Sequence, residues 1–570
     1  MRRIVVYAVF LFTLSMLIQA EASNQPAGSI LVTARDNPVI SASLQRYIST
    51  QPQIQKVKVW IYFTDKEVFG ESDYKRAVQE RTAQFPQRAL ARKQKVKHEP
   101  VDFYDLPVSQ NYLRQIESQG AKLAHPSRWL NAASFYVRPE QIEQIASLPF
   151  VKNVDLVRKY KIKPDPLEEV TKFRESTPLP SESYLLSYGP SFDQLNQLNV
   201  PAVHDLGYDG SGIILAMFDT GYRKDHPAFA SAYAESRVLA EYDFIWEDGN
   251  TQNETGQDPS YQHSHGTNTW SIAGGEAPGN LYGPAYKAFF LVAKTEWVPA
   301  ESTSEEDNWA AAAEWVDSIG GDIISSSLGY FGFDDGFSYT DADMNGDVAI
   351  TTRAADLAAA NGILVCNSAG NSGPNPGTIT APADADSIIA AGAVSSTGVI
   401  ASFSSRGPTF DERLKPELVA RGVSTYLAVA STLSYGSGNG TSYSCPLLAG
   451  CAALLWSARP TLTNMQVREA LIGSADRSGT PDNTYGYGLP NLMTALNYAV
   501  IPGDINSDDK VTLADVVFQA NYIFKPGAAI PIPVSSADVD CSGSVTLGDV
   551  VYMANRIFKA GPPACDHDFF

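Results

Sequence analysis

Residues 189–500 predict an α/β fold, a parallel sheet sandwiched by helices, and three observations carry that reading. Short, wholly apolar runs at 213–218, 323–324 and 363–365 alternate with helical or turn segments, the pattern of strands buried on both faces. The composition turns Gly- and Ala-rich over the same stretch. The polar motifs fall where the apolar runs stop, at the carboxyl ends of strands, where open α/β sheets hold their ligands. Different patterns flank this region. Residues 55–163 carry strand-like runs at 57–63, 133–137 and 151–157 and a helical stretch at 140–148, a small α+β, ferredoxin-like unit. Residues 501–570 hold an internal repeat, 504–525 recurring as 538–559, each copy a loop followed by a helix.

A chain of 570 residues has room for three or four folded units, so core size is not limiting. Its formal net charge of −20 argues against nucleic acid as a partner, because gripping a phosphate backbone takes clustered Lys and Arg. Residues 1–22 read as a signal peptide: Arg2 and Arg3, an apolar run over 4–18, then the small-residue site Ala20-Glu21-Ala22. That run falls short of the roughly 20 residues needed to cross a bilayer, which leaves a retained anchor as the alternative; no later stretch reads as membrane-spanning. Export implies a secreted or cell-surface protein in an oxidising space, where Cys541 and Cys565 could pair. Cys366, Cys445 and Cys451 read as buried thiols, the last two on one helix but facing different sides. The stretch 88–97 is basic within an acidic chain, and residues 164–188, rich in Pro, Ser and Glu, form a connector at which a cut would release the N-terminal unit.

Four motifs carry chemistry. Asp219 ends an apolar run and precedes Thr220-Gly221, a carboxylate at a strand terminus just before a turn. His265 leads Gly266-Thr267 and a helical segment ending at Ala273-Gly274-Gly275; His263 is its competitor, but the small Gly266 lets other backbone approach His265 closely. Ser442 stands in Gly440-Thr441-Ser442-Tyr443-Ser444-Cys445-Pro446 ahead of an apolar helix, so that its own N–H and the helix dipole could serve an oxyanion. Asn371 closes Ser368-Ala369-Gly370-Asn371, and its amide could give a second oxyanion donor. Each motif alone is compatible with an ordinary turn or cap. Together they supply a nucleophile, a base, an orienting acid and oxyanion donors.

With the chain order Asp, His, Ser and these local contexts, residues 188–500 resemble the subtilisin-like serine proteases (peptidase S8 type). The resemblance implies a serine endopeptidase with Asp219, His265 and Ser442 as triad and with Asn371 and the Ser442 N–H as oxyanion hole. It also implies that Ser327-Leu328-Gly329 pairs with the substrate backbone and that Ser368-Ala369-Gly370 lines the opposite wall of the first specificity pocket. Tyr443 stands where many relatives place a methionine. The 55–163 unit resembles the family's inhibitory propeptides, which implies a self-processed precursor cleaved between about residues 163 and 188; a permanent N-terminal domain is the alternative.

The C-terminal repeat offers alternating oxygen ligands: Asp504, Asn506, Asp508, the Lys510 carbonyl and Asp515, then Asp538, Asp540, Ser542, the Ser544 carbonyl and Asp549. This is EF-hand-like spacing, suited to calcium. With the helices that follow, the repeat resembles type I dockerin modules, which implies a cohesin-type partner; a calcium-stiffened module without a partner is the alternative. Asp341, Asp343, Asn345 and Asp347 repeat the early spacing, with Thr352 in the last position, as a candidate third calcium loop. No cofactor is expected for catalysis. A catalytically inactive adhesion or scaffold protein would have lost a triad member, and none is lost; an esterase using Ser442 would need a Gly-x-Ser-x-Gly elbow, which is absent.

Overall fold

The computed structural model describes residues 39–161, 171–172, 184–298, 303–331, 339–498 and most of 503–564. The signal peptide expected at 1–22, most of the 164–188 connector, Asp508, Cys541 and Cys565 lie outside these residues.

The N-terminal unit is an antiparallel sheet of β1 (Val57–Phe63), β2 (Lys122–Ser127), β3 (Ala132–Val137) and β4 (Val151–Leu156) in the order β2-β3-β1-β4. Val57, Val59, Ile61 and Phe63 point into this unit's own core with Leu113, Ile116 and Ile145. The alternate residues point the other way, and they too are buried. Trp60 joins a cluster with Trp309 and Val316 of the next domain, and Lys58 pairs with Asp307 there at 2.8 Å. That second covered face explains why, Lys58 apart, β1 does not alternate apolar with polar residues.

After β5 (Lys159–Lys161) and β6 (Thr171–Lys172), the central domain contributes β7 (Ile214–Asp219), β8 (Val238–Asp243), a two-stranded hairpin of β9 (Glu276–Ala277) and β10 (Leu281–Tyr282), β11 (Phe289–Lys294), β12 (Thr303–Glu305), β13 (Ile323–Ser326), β14 (Leu364–Ser368), β15 (Ile389–Val394), β16 (Leu418–Arg421), β17 (Thr425–Val429) and β18 (Ser434–Gly438). Seven of these form a wholly parallel sheet in the order β16-β15-β14-β13-β7-β11-β8. Leu215 and Met217 face Trp270 of helix Ser264–Gly274 and Leu447 of helix Thr441–Ala458. Ile214, Ala216 and Phe218 face Trp309 of helix Glu306–Ile319 and Ala354 of helix Ile350–Ala360. The expected sandwich is therefore present, and β7, an interior strand, delivers its last residue, Asp219, to the carboxyl edge.

The basic stretch of the sequence is the helix Gln87–Gln94, which lies across the carboxyl ends of the Glu306–Ile319 and Ile350–Ala360 helices. Arg88 donates to the Gly320 carbonyl at 3.2 Å and to the Gly212 carbonyl at 2.6 Å, and Arg92 to the carbonyls of Asn361 and Gly321. Cations complete helix ends whose carbonyls lack partners and carry the negative pole of the dipole. Asp317, fully buried, meets Arg92, Lys93 at 3.1 Å and Arg128 at 2.7 Å.

At the C-terminus, helices Leu513–Phe524 and Leu547–Lys559 pack through Val516 and Met553, with Ile505, Ala537 and Val539 between the loops. Cys366, Cys445 and Cys451 are buried free thiols. Among the described residues no helix is long and apolar enough to cross a membrane.

Candidate active site

Asp219 is the terminal residue of β7, fully buried, and its two oxygens have separate duties. Oδ1 accepts from the Thr220 N–H at 2.7 Å and lies 2.7 Å from His265 Nδ1; Oδ2 accepts from Thr269 Oγ1 at 2.8 Å. Thr269, one turn along the histidine's own helix, thus fixes the carboxylate plane, a role no sequence motif disclosed. His265 is the second residue of helix Ser264–Gly274. The glycine after it serves backbone packing: a Cβ at Gly266 would lie 2.2 Å from the Gly221 carbonyl oxygen and 3.0 Å from Asp219 Cβ. Any side chain there would push the imidazole away from its carboxylate.

His263, the competitor in sequence, has different surroundings. Its Nδ1 accepts from the Asn253 N–H at 3.3 Å, and burial pushes its pKa down to about 4. His226, also buried, ties the loop after β7 to the Ser434 carbonyl at 3.0 Å.

Ser442 opens the helix Thr441–Ala458 behind Gly440, whose φ of 157° with ψ of 153° turns the chain sharply into the helix. Pro446, four residues on, has no N–H to offer the Ser442 carbonyl. Ser327 takes its place: Ser327 Oγ donates to that carbonyl at 2.8 Å. The Ser442 backbone is therefore held by the strand end beside it. The residue after Ser442 is Tyr443, almost fully buried, its ring 6.1 Å from the His265 ring. The larger side chain fits because position 438 is glycine; a Cβ there would come within 2.5 Å of the tyrosine ring.

The amide of Asn371 is oriented by Thr441, whose N–H and Oγ1 both donate to Asn371 Oδ1 at 2.9 Å. With its oxygen so engaged, the NH2 is the donor end. Strands β13 and β14 pair in parallel, Ser326 opposite Asn367, so their continuations 327–329 and 368–370 run side by side. Asn367 Nδ2 donates to the carbonyls of Leu328 at 2.9 Å and Ser368 at 2.8 Å, and Ala369 is buried beneath. Between the two segments stands Thr380, absent from the sequence reading. Its Oγ1 is 2.7 Å from a Cβ placed at Gly329 and 3.1 Å from one at Gly370, and among the described residues that hydroxyl has no hydrogen-bond partner. It lies between the two walls expected for the first specificity pocket.

Two short strands after the N-terminal sheet pair with strands of the central domain. β5 pairs antiparallel with β12, Lys161 opposite Thr303 and Lys159 opposite Glu305, and β6 adds to β18.

Residues 210–488 match the model of the subtilase family (peptidase S8). Subtilisin E of Bacillus subtilis (strain 168) is 31% identical over 390 residues, 67% of this chain and 84% of that protein. The chain belongs to the subtilase family. A subtilisin of Bacillus pumilus is 34% identical over 311 residues, 53% of this chain and 97% of that one, and bacillopeptidase F of Bacillus subtilis (strain 168) is 27% identical over 440 residues, 70% of this chain and 28% of that one. This subtilase is a serine endopeptidase. Residues 58–172 match a peptidase S8 propeptide domain of the Bacteroidota, and residues 502–558 a type I dockerin domain.

In the dockerin domain of the subtilase the second loop gathers its oxygens. Asp538, Asp540 and Asp549 bring carboxylate oxygens within 4.8 Å of one another, and Ser542 Oγ donates to Asp538 Oδ1 at 3.3 Å and to the Ser544 carbonyl at 3.2 Å. An all-oxygen donor set with three carboxylates fits a hard cation such as calcium. In the first loop, Asp504 and Asp515 are buried, and Asp515 accepts from the N–H groups of Ile505 at 2.7 Å, Asn506 at 3.1 Å and Thr512 at 2.7 Å; Lys510 is half-way round the loop, and Asp508 lies outside the described residues. In the candidate third loop, Asp343 Oδ2 accepts from the Thr340 N–H at 2.7 Å, and Thr352 Oγ1 donates to Asp384 at 2.6 Å.

Proposed function

We propose that this chain is a secreted, self-processed endopeptidase whose catalytic triad is Asp219, His265 and Ser442. His265 takes the Ser442 hydroxyl proton as Oγ attacks the scissile carbonyl carbon; the tetrahedral oxyanion is held by Asn371 Nδ2 and the Ser442 N–H. Collapse breaks the C–N bond, His265 returns the proton to the leaving amine, and the acyl-enzyme is released by water through the same base. Asp219 keeps the proton of neutral His265 on Nδ1, which leaves Nε2 to act as base, and stabilises the imidazolium that forms. The observation that carries the reading is the 2.7 Å contact of Asp219 Oδ1 with His265 Nδ1 while Thr269 holds the other oxygen.

In this reading residues 55–163 are an intramolecular inhibitor whose strand β5 occupies the substrate edge of β12, supported by their antiparallel pairing. Substrate backbone would take that place after cleavage between about residues 163 and 188, with Ser327, Leu328 and Gly329 on its other side and Ser368, Ala369 and Gly370 beyond. Calcium would be held by Asp538, Asp540, Ser542, the Ser544 carbonyl and Asp549, and by the corresponding Asp504, Asn506, Asp508, Lys510 carbonyl and Asp515; a cohesin-type partner would dock on the module so stiffened. Export of the chain follows from residues 1–22. The test is to express the wild type and Ser442→Ala in a secreting host and follow precursor length and peptide hydrolysis. The wild type shortens and hydrolyses peptides, and the variant stays full-length and inert; a variant processed like the wild type rules out self-cleavage, and one equally active on peptides removes Ser442 as the nucleophile.

A further inference from the structure

Beyond the backbone pairing of β5, one side chain of the same tail is seated in a site that the triad and pocket do not account for. Arg158 places its guanidinium carbon 4.1 Å from the centroid of the Tyr339 ring. Tyr339 is buried and fixed at both ends of its hydroxyl: it donates to Glu306 Oε2 at 2.7 Å and accepts from the Ile350 N–H at 3.3 Å. Glu306 is buried at the first position of the Glu306–Ile319 helix. The strand register agrees. Lys159 lies opposite Glu305, and one step further along an antiparallel pair brings Arg158 opposite Glu306. The two segments are also complementary in charge, Arg158, Lys159 and Lys161 against Glu305 and Glu306.

We infer that Tyr339 and Glu306 form a guanidinium-binding subsite, used by Arg158 in the precursor and by substrate proteins afterwards. It selects an arginine several residues upstream of the scissile bond, because β5 runs from Arg158 toward the processing region. Resting on the endopeptidase reading above, the inference adds a substrate class: polypeptides with a basic, arginine-bearing segment ahead of the cleaved bond. An aromatic face together with a carboxylate suits a planar guanidinium better than an ammonium, so arginine ranks above lysine. Arg353, which bonds to the Tyr62 hydroxyl of the N-terminal unit, and Asp155 are the other charges near this cluster.

The test uses peptides copying residues 154–188 with Arg, Lys, Ala or Glu at position 158, given to the mature wild-type enzyme, with Ser442→Ala protein controlling for other proteases. The expected order of kcat/KM is Arg, Lys, Ala, Glu, with Arg about ten-fold above Ala, the size of a partly desolvated cation–π contact. The difference should appear in KM rather than kcat, since the subsite grips ground and transition states alike. In Glu306→Gln and Tyr339→Leu enzymes the Arg-to-Ala ratio should shrink to within about two-fold. Equal handling of the Arg and Ala peptides by the wild type, or a ratio that survives both substitutions, overturns the subsite while leaving the endopeptidase intact. A wild type that cleaves none of them overturns the endopeptidase reading and the subsite with it.

Discussion

Asp317→Asn isolates what the N-terminal unit contributes to the catalytic domain's stability. The carboxylate is fully buried where the two units meet and is contacted by Arg92, Lys93 and Arg128, all three from the N-terminal unit. Burial alone would raise its pKa; the three cations override that and hold it at about 2, against an ordinary 3.8. A depressed carboxylate stabilises the folded precursor above pH 3.8 and loses that contribution as pH falls through about 2. The shift corresponds to roughly 2 kcal/mol. Substitution costs more than protonation at one site suggests, since three buried cations lose their shared counter-charge; removing one side of such a pair costs about 3–5 kcal/mol. The assay is urea unfolding of Ser442→Ala precursor with and without Asp317→Asn, with hydrogen exchange in β1 and β3 locating the loss. The Asn variant should be destabilised by that amount at pH 6 and should lack the acid-dependent component between pH 4 and 2. In the mature enzyme, with the cations gone and water admitted, the same substitution should cost less than about 1 kcal/mol. A precursor destabilised by no more than the mature form would refute the reasoning.

Ser327→Ala should leave the Ser442 carbonyl without a donor, costing about 1–3 kcal/mol in thermal unfolding and lowering kcat by about ten-fold because the nucleophile's backbone loosens; unchanged kcat would show that Pro446 alone sets its position. Asn371→Ala should lower kcat by about 100–1,000-fold with KM little altered, the loss known for one oxyanion donor in a subtilisin, and steady-state kinetics decide it. Chelating calcium, or Asp549→Ala, should unfold the C-terminal helices in far-ultraviolet circular dichroism and in proteolysis after residue 498 while peptide hydrolysis continues; a module that keeps its helices without calcium refutes the ligand set. Tyr443→Met should make activity more sensitive to peroxide, since sulfoxide formation puts a polar group in this buried position, and equal survival of the two enzymes defeats the idea.

The proposed triad could be picked out of the sequence because each candidate carries local chemistry in adjacent residues. Gly266 must be glycine for the His265 helix to pass the Gly221 carbonyl, and Gly440 must turn the chain into the Ser442 helix. Pro446 also announced an orphan carbonyl four residues back, a signal that could have led to Ser327. Other partners leave no such mark. Thr269 and Thr380 are single threonines among many, and their importance lies in which oxygen or glycine they face. The basic 88–97 stretch was visible as a charge anomaly, but nothing in one dimension shows that its arginines finish the ends of two helices more than two hundred residues away.

By itself the sequence determined the parallel sheet and the subtilase, propeptide and dockerin segments, and it singled out the candidate triad residues and the oxygen-rich repeats, because these rest on periodicity, on glycine where backbone crowds, and on residue types at short spacing. Tertiary structure alone decided that β1 is covered on both faces, that Thr352 donates to Asp384, and that Arg158 meets the Tyr339 ring. Those outcomes depend on which surfaces approach once the chain is closed, and contacts between segments far apart in sequence follow from packing that no local pattern encodes.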